Sequence, residues 1–154
     1  MKSKDAIFYT DGACSGNPGV GGWAYVELVP CDCGYKTHIV SGSKEPTTNN
    51  EMELTAAYMA LVRAYKNGCK TVRIFSDSAY VCNAISKGWL LNWFKNGWQT
   101  KEGTPVKNKH IWEKMYKLVY GKQIIITMVQ VKGHGGDPLN ELADVAAVKA
   151  KNEL

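Results

Sequence analysis

The spacing of apolar and polar positions changes several times along the chain, and each change marks an element. "DAIFYTD" (5–11) is short, apolar and rich in β-prone residues, which predicts a strand. "GWAYVELVP" (22–30) alternates around Trp23 and Tyr25, and "YKTHIVSGS" (35–43) follows a Cys-Asp-Cys-Gly turn. Together the three segments predict an antiparallel meander. From Thr48 the period lengthens. Met52, Ala56, Met59, Leu61, Val62 and Tyr65 fall near helical spacing, with Thr and Asn at the start and Gly68 just past the end, where caps belong. "TVRIFSD" (71–77) predicts a second buried strand that ends in an acid. Beyond it the pattern predicts helices over 78–88 and 107–121, a strand over 123–131, a loop "KGHGGDP", and a last helix with Pro138 in its first turn. Three hairpin strands followed by β/α alternation predict an α/β layer fold with a mixed sheet.

In such sheets ligands bind where parallel strands end, near a topological switch. Asp11 and Asp77 each stand at the end of a predicted strand. If those strands are parallel neighbours, the two carboxylates lie side by side. So placed they repel each other and tend to hold a proton, a conflict that a divalent cation removes. Oxygen ligands of this kind suit Mg²⁺ or Mn²⁺. The ordinary alternative for Asp11 is a turn-forming Asp before Gly. Taken alone, Glu53 and Asp144 read as ordinary helix acids, solvated or paired with the helix dipole. The stretch "YTDGACSGNPGVGGW" (9–23) holds five glycines and almost no bulky side chain after Asp11. Such bare backbone serves either close approach of a ligand or a tight hairpin entry.

Composition narrows the classes. At 154 residues the chain fits one domain, and 45% apolar with 21% charged residues argues for a packed core and against disorder. No apolar run approaches the roughly 18–20 residues needed to cross a bilayer. The N-terminus enters a strand pattern directly, which predicts a cytoplasmic location. Five cysteines without a secretion signal predict free thiols, and "CDC" (31–33), lacking a second Cys/His pair at zinc spacing, predicts a plain turn. The net charge of +5 suggests a polyanionic partner.

"YTDGACSGNPGVGGWAYV", "TTNNEMELTAA", "IFSDSAYV", "KGW…W…NGW…VKN" and "VKGHGGDPLNELAD" occur in this order. With these blocks the chain closely resembles the ribonuclease H family, type 1, of the bacterial kind, over nearly its whole length. The resemblance implies a five-stranded mixed sheet with helices on both faces, and hydrolysis of the RNA strand of RNA–DNA hybrids with two Mg²⁺ ions, Mn²⁺ being able to substitute. It implies that Asp11, Glu53, Asp77 and Asp144 hold the metal. Paired ions about 3.5–4 Å apart would activate the attacking water and stabilise the leaving 3′ oxygen, leaving 5′-phosphate and 3′-hydroxyl ends. The bare stretch, Gly12 and Cys14 included, would lie against the hybrid's minor groove and test for 2′-hydroxyls. His134, between glycines 133, 135 and 136, would shuttle protons or aid product release.

Residues 87 to 117 hold seven lysines, two acids and four of the five tryptophans. Such a segment is either a solvated face over an aromatic core, where Trp112 belongs, or a basic handle for a DNA strand. The resemblance favours the handle. It implies that Trp89 lines the DNA channel with Trp93 and Lys95 nearby, that Thr48 and Asn108 hold a DNA phosphate, and that Asn17, Asn49 and Asn50 contact the hybrid. The tip "WFKNGW" carries one lysine, so the handle's grip is expected to be modest. Ala79 departs from the glutamine many relatives carry there, which removes one groove contact. No accessory hybrid-binding domain, membrane segment or obligate protein partner is expected, and a monomer is. Two other readings stay open: a hybrid-binding module that has lost catalysis, and a different nuclease or strand-transfer enzyme on the same fold.

Overall fold

The computed structural model describes residues 4–133 and 135–153. Its sheet has five strands in the order β3-β2-β1-β4-β5. They are β1 (Lys4–Gly16), β2 (Gly19–Cys31), β3 (Gly34–Thr47), β4 (Cys69–Ser76) and β5 (Ile125–Gln130). The first three form the predicted antiparallel meander, and β4 and β5 add in parallel. The mixed α/β fold expected from the sequence is therefore the fold observed. Asp32 and Cys33 form the turn between β2 and β3, in keeping with the reading of "CDC" as a turn.

Helix α1 (Asn49–Lys66) packs on one face of the sheet, against β1, β2 and β4, and buries Leu54, Ala57, Ala60, Leu61 and Ala64 there. Thr48 caps it by accepting a hydrogen bond from the Glu51 amide, 3.1 Å away. Two short helices, α2 (Ala79–Ser86) and α3 (Trp89–Lys95), are followed by α4 (Lys109–Tyr116), which runs into a π-helical turn at Lys117–Gly121. Helix α5 (Pro138–Asn152) covers the opposite face, over β1, β2 and β3. The largest fully buried side chain is Trp112, a core residue as expected, packed with Phe8, Ile74 and Met115 in the main core.

Three boundaries differ from the sequence reading. Strand β1 does not stop at Asp11 but continues to Gly16, because the glycine-rich stretch pairs rung by rung with β2 through Gly16↔Gly19. A low side-chain content reads as a loop, yet backbone hydrogen bonding needs no side chain. Strand β5 is shorter than 123–131, since Gln123 has φ 57° and breaks the extended run. The handle contains α3, which the spacing of its tryptophans conceals; Leu90 alone of its residues is buried.

The glycines of β1 and β2 serve packing on both faces. A Cβ at Gly12 would lie 2.5 Å from the Glu53 amide nitrogen of α1, and one at Gly21 would lie 2.8 Å from Met52 Cγ. On the other face a Cβ at Gly22 would overlap the Ala147 carbonyl and lie 2.6 Å from the Lys151 nitrogen of α5. Both helices therefore rest directly on bare strand backbone. We expect Gly22→Ala to destabilise the protein by about 1–3 kcal/mol or more, because α5 backbone cannot move aside as a flexible side chain would. Gly121→Ala, whose Cβ meets nothing within 4 Å, is the control. Urea unfolding of both variants checks this, and equal losses at the two positions would contradict it.

Candidate active site

The parallel ladder between β1 and β4 ends at the rung Tyr9↔Phe75, whose rings stack at 4.5 Å. Asp11 and Asp77 each lie two residues beyond that rung, so the sheet delivers them to matching places. Asp11 is thus not at the end of its strand, as the sequence suggests, but at the point where β1 parts from β4 while staying paired to β2 (Asp11↔Ala24). Asp77 is held in the turn that leads into α2. There the Ser78 amide donates to Ser76 Oγ at 3.1 Å, and Ser78 Oγ caps the helix by accepting from Val81 N at 3.2 Å.

Glu53 comes from the second turn of α1. Because Gly12 lacks a side chain, the helix approaches β1 closely enough for one amide to serve two acids. The Gly12 N–H donates to Asp11 Oδ1 at 2.9 Å and to Glu53 Oε1 at 2.7 Å. Carboxylate oxygens of Asp11, Glu53 and Asp77 all lie within 4.8 Å of one another. Asp144, half-buried on α5, completes the group through a side-chain hydrogen bond with Asp11. The cluster thus draws Asp11 from β1, Glu53 from α1 and Asp77 from the turn after β4, with Asp144 of α5 reaching Asp11.

Burial sets their electrostatics. Asp11 and Glu53 are each 4% exposed. Burial pushes the Asp11 carboxyl up to about 6, opposed by the hydrogen bond with Glu53 and helped by the charge of Asp77 and the hydrogen bond with Asp144. Burial raises Glu53 as well, reinforced by Asp11 and Asp77, so the pair binds a proton more tightly than isolated carboxyls would. Glu53 Oε2 is buried with no hydrogen-bond partner. A cluster of acids with an orphaned oxygen is poorly solvated as it stands, and its all-oxygen donor set fits a hard divalent cation. The buried Cys82 thiol nearby is pushed up to about 11 by burial and by Glu53 and Asp77, which makes it inert as a nucleophile.

His134 lies outside the described residues. Its neighbour Gly133 does reach the site: a Cβ there would be 2.8 Å from Asp77 Oδ2.

A concavity of about 440 Å³ opens at the start of α1, the helix that carries Glu53, lined by Asn17, Thr48, Asn49, Asn50, Tyr80, Lys107 and Asn108. Five of the residues expected to touch nucleic acid thus meet in one place. Trp89, Trp93 and Lys95 lie apart, on α3. Trp89 is 37% exposed, while Trp93 packs on Trp112 with ring centroids 5.3 Å apart. Cys14 is half-buried, and its thiol donates to the Thr47 carbonyl at 3.4 Å. Gly12 presents its amide to the two acids and its Cα to α1, so its bareness answers first to packing.

Sequence reasoning passed over Tyr80 and Lys107 in this concavity, and it left Glu51 without a role. Glu51 is buried, accepts from Thr47 Oγ1 at 2.6 Å and pairs with Lys44 at 2.5 Å. Burial would raise its carboxyl, but the hydrogen bonds from Lys44 and Thr47 outweigh that and hold it below the usual range. The available signal was its place three residues after the Thr48 cap, where a Glu commonly folds back on the helix start.

The sheet order, a helix layer on each face and acids gathered where parallel strands end define an α/β protein of the ribonuclease H-like fold. A family model described as RNase H matches residues 3–152. A Ribonuclease H of Caldanaerobacter subterraneus subsp. tengcongensis is 44% identical, covering 97% of this chain and 94% of its own. A Ribonuclease H of Moorella thermoacetica is 43% identical over 94% and 90%. Among solved structures, the crystal structure of LC9-RNase H1, a type 1 RNase H with the type 2 active-site motif, superposes with a TM-score of 0.85. It is 26% identical, over 99% of this chain and 74% of that one. The chain belongs to the RNase H family.

The raised carboxyls fix a sign for stability. A group whose folded value lies above its unfolded value stabilises fully below the unfolded value and loses that contribution as pH rises. For Asp11 the window runs from 3.8 to about 6, and for Glu53 it opens near 4.5 and extends upward. Metal-free protein is therefore expected to melt at a lower temperature at pH 8 than at pH 5. Asp11→Asn should raise the melting temperature at pH 8, and by less at pH 5. Melting curves in EDTA check both, and a melting temperature that climbs from pH 5 to pH 8 would contradict the assignment.

Proposed function

We propose that the protein is an endonuclease that hydrolyses the RNA strand of RNA–DNA hybrids. The observation that carries this reading is the buried cluster of Asp11, Glu53 and Asp77, with Asp144 bonded to Asp11, together with a concavity rich in amide groups. The Ribonuclease H relatives support it. So does a foamy viral protease-reverse transcriptase solved in complex with an RNA/DNA hybrid, which is 25% identical over 97% of this chain and 20% of that one, with a TM-score of 0.82.

In this mechanism Asp11, Glu53, Asp77 and Asp144 would hold two Mg²⁺ ions, for which Mn²⁺ would be able to substitute. Once held there, such ions would supply a lowered pKa for an attacking water and neutralisation of charge on the phosphate and its leaving oxygen. The protein's own part is positional. The Gly12 amide pins Asp11 and Glu53 at one spacing, and the Ser76–Ser78 turn presents Asp77. The scissile phosphate meets the acids while Thr48, Asn49, Asn50, Asn17 and Asn108 hold the backbone alongside. Trp89, Trp93 and Lys95 meet the DNA strand on the handle. Cys14 and the backbone that follows Gly12 face the minor groove, where backbone groups sense 2′-hydroxyls, while Gly12 itself holds the acids. His134 takes up or delivers a proton as product leaves. Products carry 5′-phosphate and 3′-hydroxyl ends, and the enzyme acts as a cytoplasmic monomer. Among the described residues no helix is long and apolar enough to cross a membrane.

The test is cleavage of one end-labelled sequence as RNA–DNA hybrid, RNA duplex and DNA duplex, with Mg²⁺ and with EDTA. Cutting of the hybrid's RNA strand alone, abolished by EDTA and by Asp11→Asn, is expected. Tight hybrid binding without cutting would point to a binding module, and cutting of DNA to another branch of the fold. His134→Ala is expected to slow turnover severalfold and leave residual activity. Activity as low as that of Asp11→Asn would contradict its supporting role.

A further inference from the structure

One wall of the concavity turns on the hydroxyl of a single side chain. Tyr80, half-buried on α2, places its hydroxyl at a three-way junction. It accepts from Trp112 Nε1 at 2.9 Å and from Asn108 Nδ2 at 3.2 Å, and it donates to the Lys107 carbonyl at 3.5 Å. A phenol has one proton and two lone pairs, so the junction is saturated.

Asn108 shows what the junction accomplishes. It stands at the N-cap of α4, where asparagine normally turns its side chain back onto the helix amides. Here it makes no side-chain cap bond, and its backbone is left-handed at φ 61°, ψ 27°. Asparagine tolerates that conformation, yet it forgoes a favourable cap. Backbone outliers of this kind persist where the surroundings over-determine them, and they gather at sites of function. The Asn108 side chain is instead engaged by one bond, to Tyr80. One Asn108 amide hydrogen goes to the hydroxyl, which fixes the carboxamide at the wall of the concavity that Asn108 lines. Lys107, its carbonyl held by the same hydroxyl, brings a cation to the same wall. Facing them across the space are Thr48, Asn49 and Asn50 at the start of α1, an 18-residue helix whose first amides favour an anion.

We propose that Tyr80 is a positioning residue for the grip on a backbone phosphate: its hydroxyl orients the Asn108 carboxamide and the Lys107 backbone toward that phosphate without contacting it. This rests on the reading of the protein as a nuclease for RNA–DNA hybrids. The indole of Trp112, fully buried, anchors the junction to the core.

The test compares Tyr80→Phe, Asn108→Ala and the double variant in steady-state cleavage of a hybrid. Loss of one hydrogen bond to a charged group is expected to raise KM by about tenfold in Asn108→Ala, and Tyr80→Phe should approach that value with kcat changed less than about twofold. The double variant should be no worse than Asn108→Ala alone, because the two residues act through one contact. A second measurement holds even if Tyr80→Phe is less stable. A methylphosphonate is moved along the DNA strand one linkage at a time. In the wild type one linkage should raise KM sharply. In Tyr80→Phe that linkage should lose its effect while the others keep theirs. KM raised by Asn108→Ala but not by Tyr80→Phe, multiplicative effects in the double variant, or an unchanged methylphosphonate profile would each overturn the proposal alone. No change in KM for Asn108→Ala would overturn the phosphate reading of the concavity along with it. A wild type that does not cleave hybrid would overturn the nuclease reading on which both stand.

Discussion

One backbone amide organises this molecule. The Gly12 N–H is shared between Asp11 on a strand and Glu53 on a helix, and it can be shared because nothing projects from the Gly12 α-carbon to keep the two elements apart. Two acids that would otherwise repel are held at a common donor in a place from which water is excluded. The fold bears the electrostatic cost of that arrangement, and a cation would relieve it. The approach of α1 to β1, the end of the parallel ladder at Tyr9 and Phe75, and the matching offsets of Asp11 and Asp77 all converge on this point. Helix α5, resting on Gly22 from the other side, brings Asp144 to the same place. The site is therefore a property of layer packing rather than of any single loop.

The fold was largely legible because its signals are local and agree with one another. Period-two alternation, a change to helical spacing at Thr48 and cap residues at both ends leave little freedom for α1 or the meander. The four acids were legible for a different reason: the resemblance assigned Glu53 and Asp144, which in isolation look like ordinary helix residues. The glycine-rich stretch left two uses open, close approach of a ligand and a tight hairpin entry, and a third was not read from it: Gly12, Gly21 and Gly22 accommodate the protein's own helices. Sequence cannot separate these uses, because a missing side chain leaves room without saying for what.

Tyr80 and Glu51 escaped notice because their roles are relational. A tyrosine in "SAYV" reads as half of an apolar pattern; only the arrival of α4 from more than twenty residues away gives its hydroxyl three partners. Glu51 reads as a first-turn acid favoured by the helix dipole. In the folded chain it also ties Lys44 and Thr47 of β3 to the start of α1, which spends a lysine that composition alone would count toward a basic surface. Net charge overstates the free positive potential wherever such pairs form. The handle shows the converse: part of its aromatic surface is turned inward, Trp93 packing on Trp112 and Tyr116 on Phe94 and Trp98.

Helix α1 carries parts of both sites. Thr48 caps it and lines the concavity, while Glu53, five residues on, belongs to the acid cluster. An α-helix rises about 1.5 Å per residue, so the two stations are separated along its axis by roughly 7.5 Å. The first turns of a capped helix packed on a sheet do not stretch. Whatever group occupies the concavity is thus held at a set remove from whatever meets the acids, and the helix acts as a gauge between them. A polymer with a regular repeat would be registered by that gauge, engaging both stations only when its spacing agrees with the length of five residues of helix.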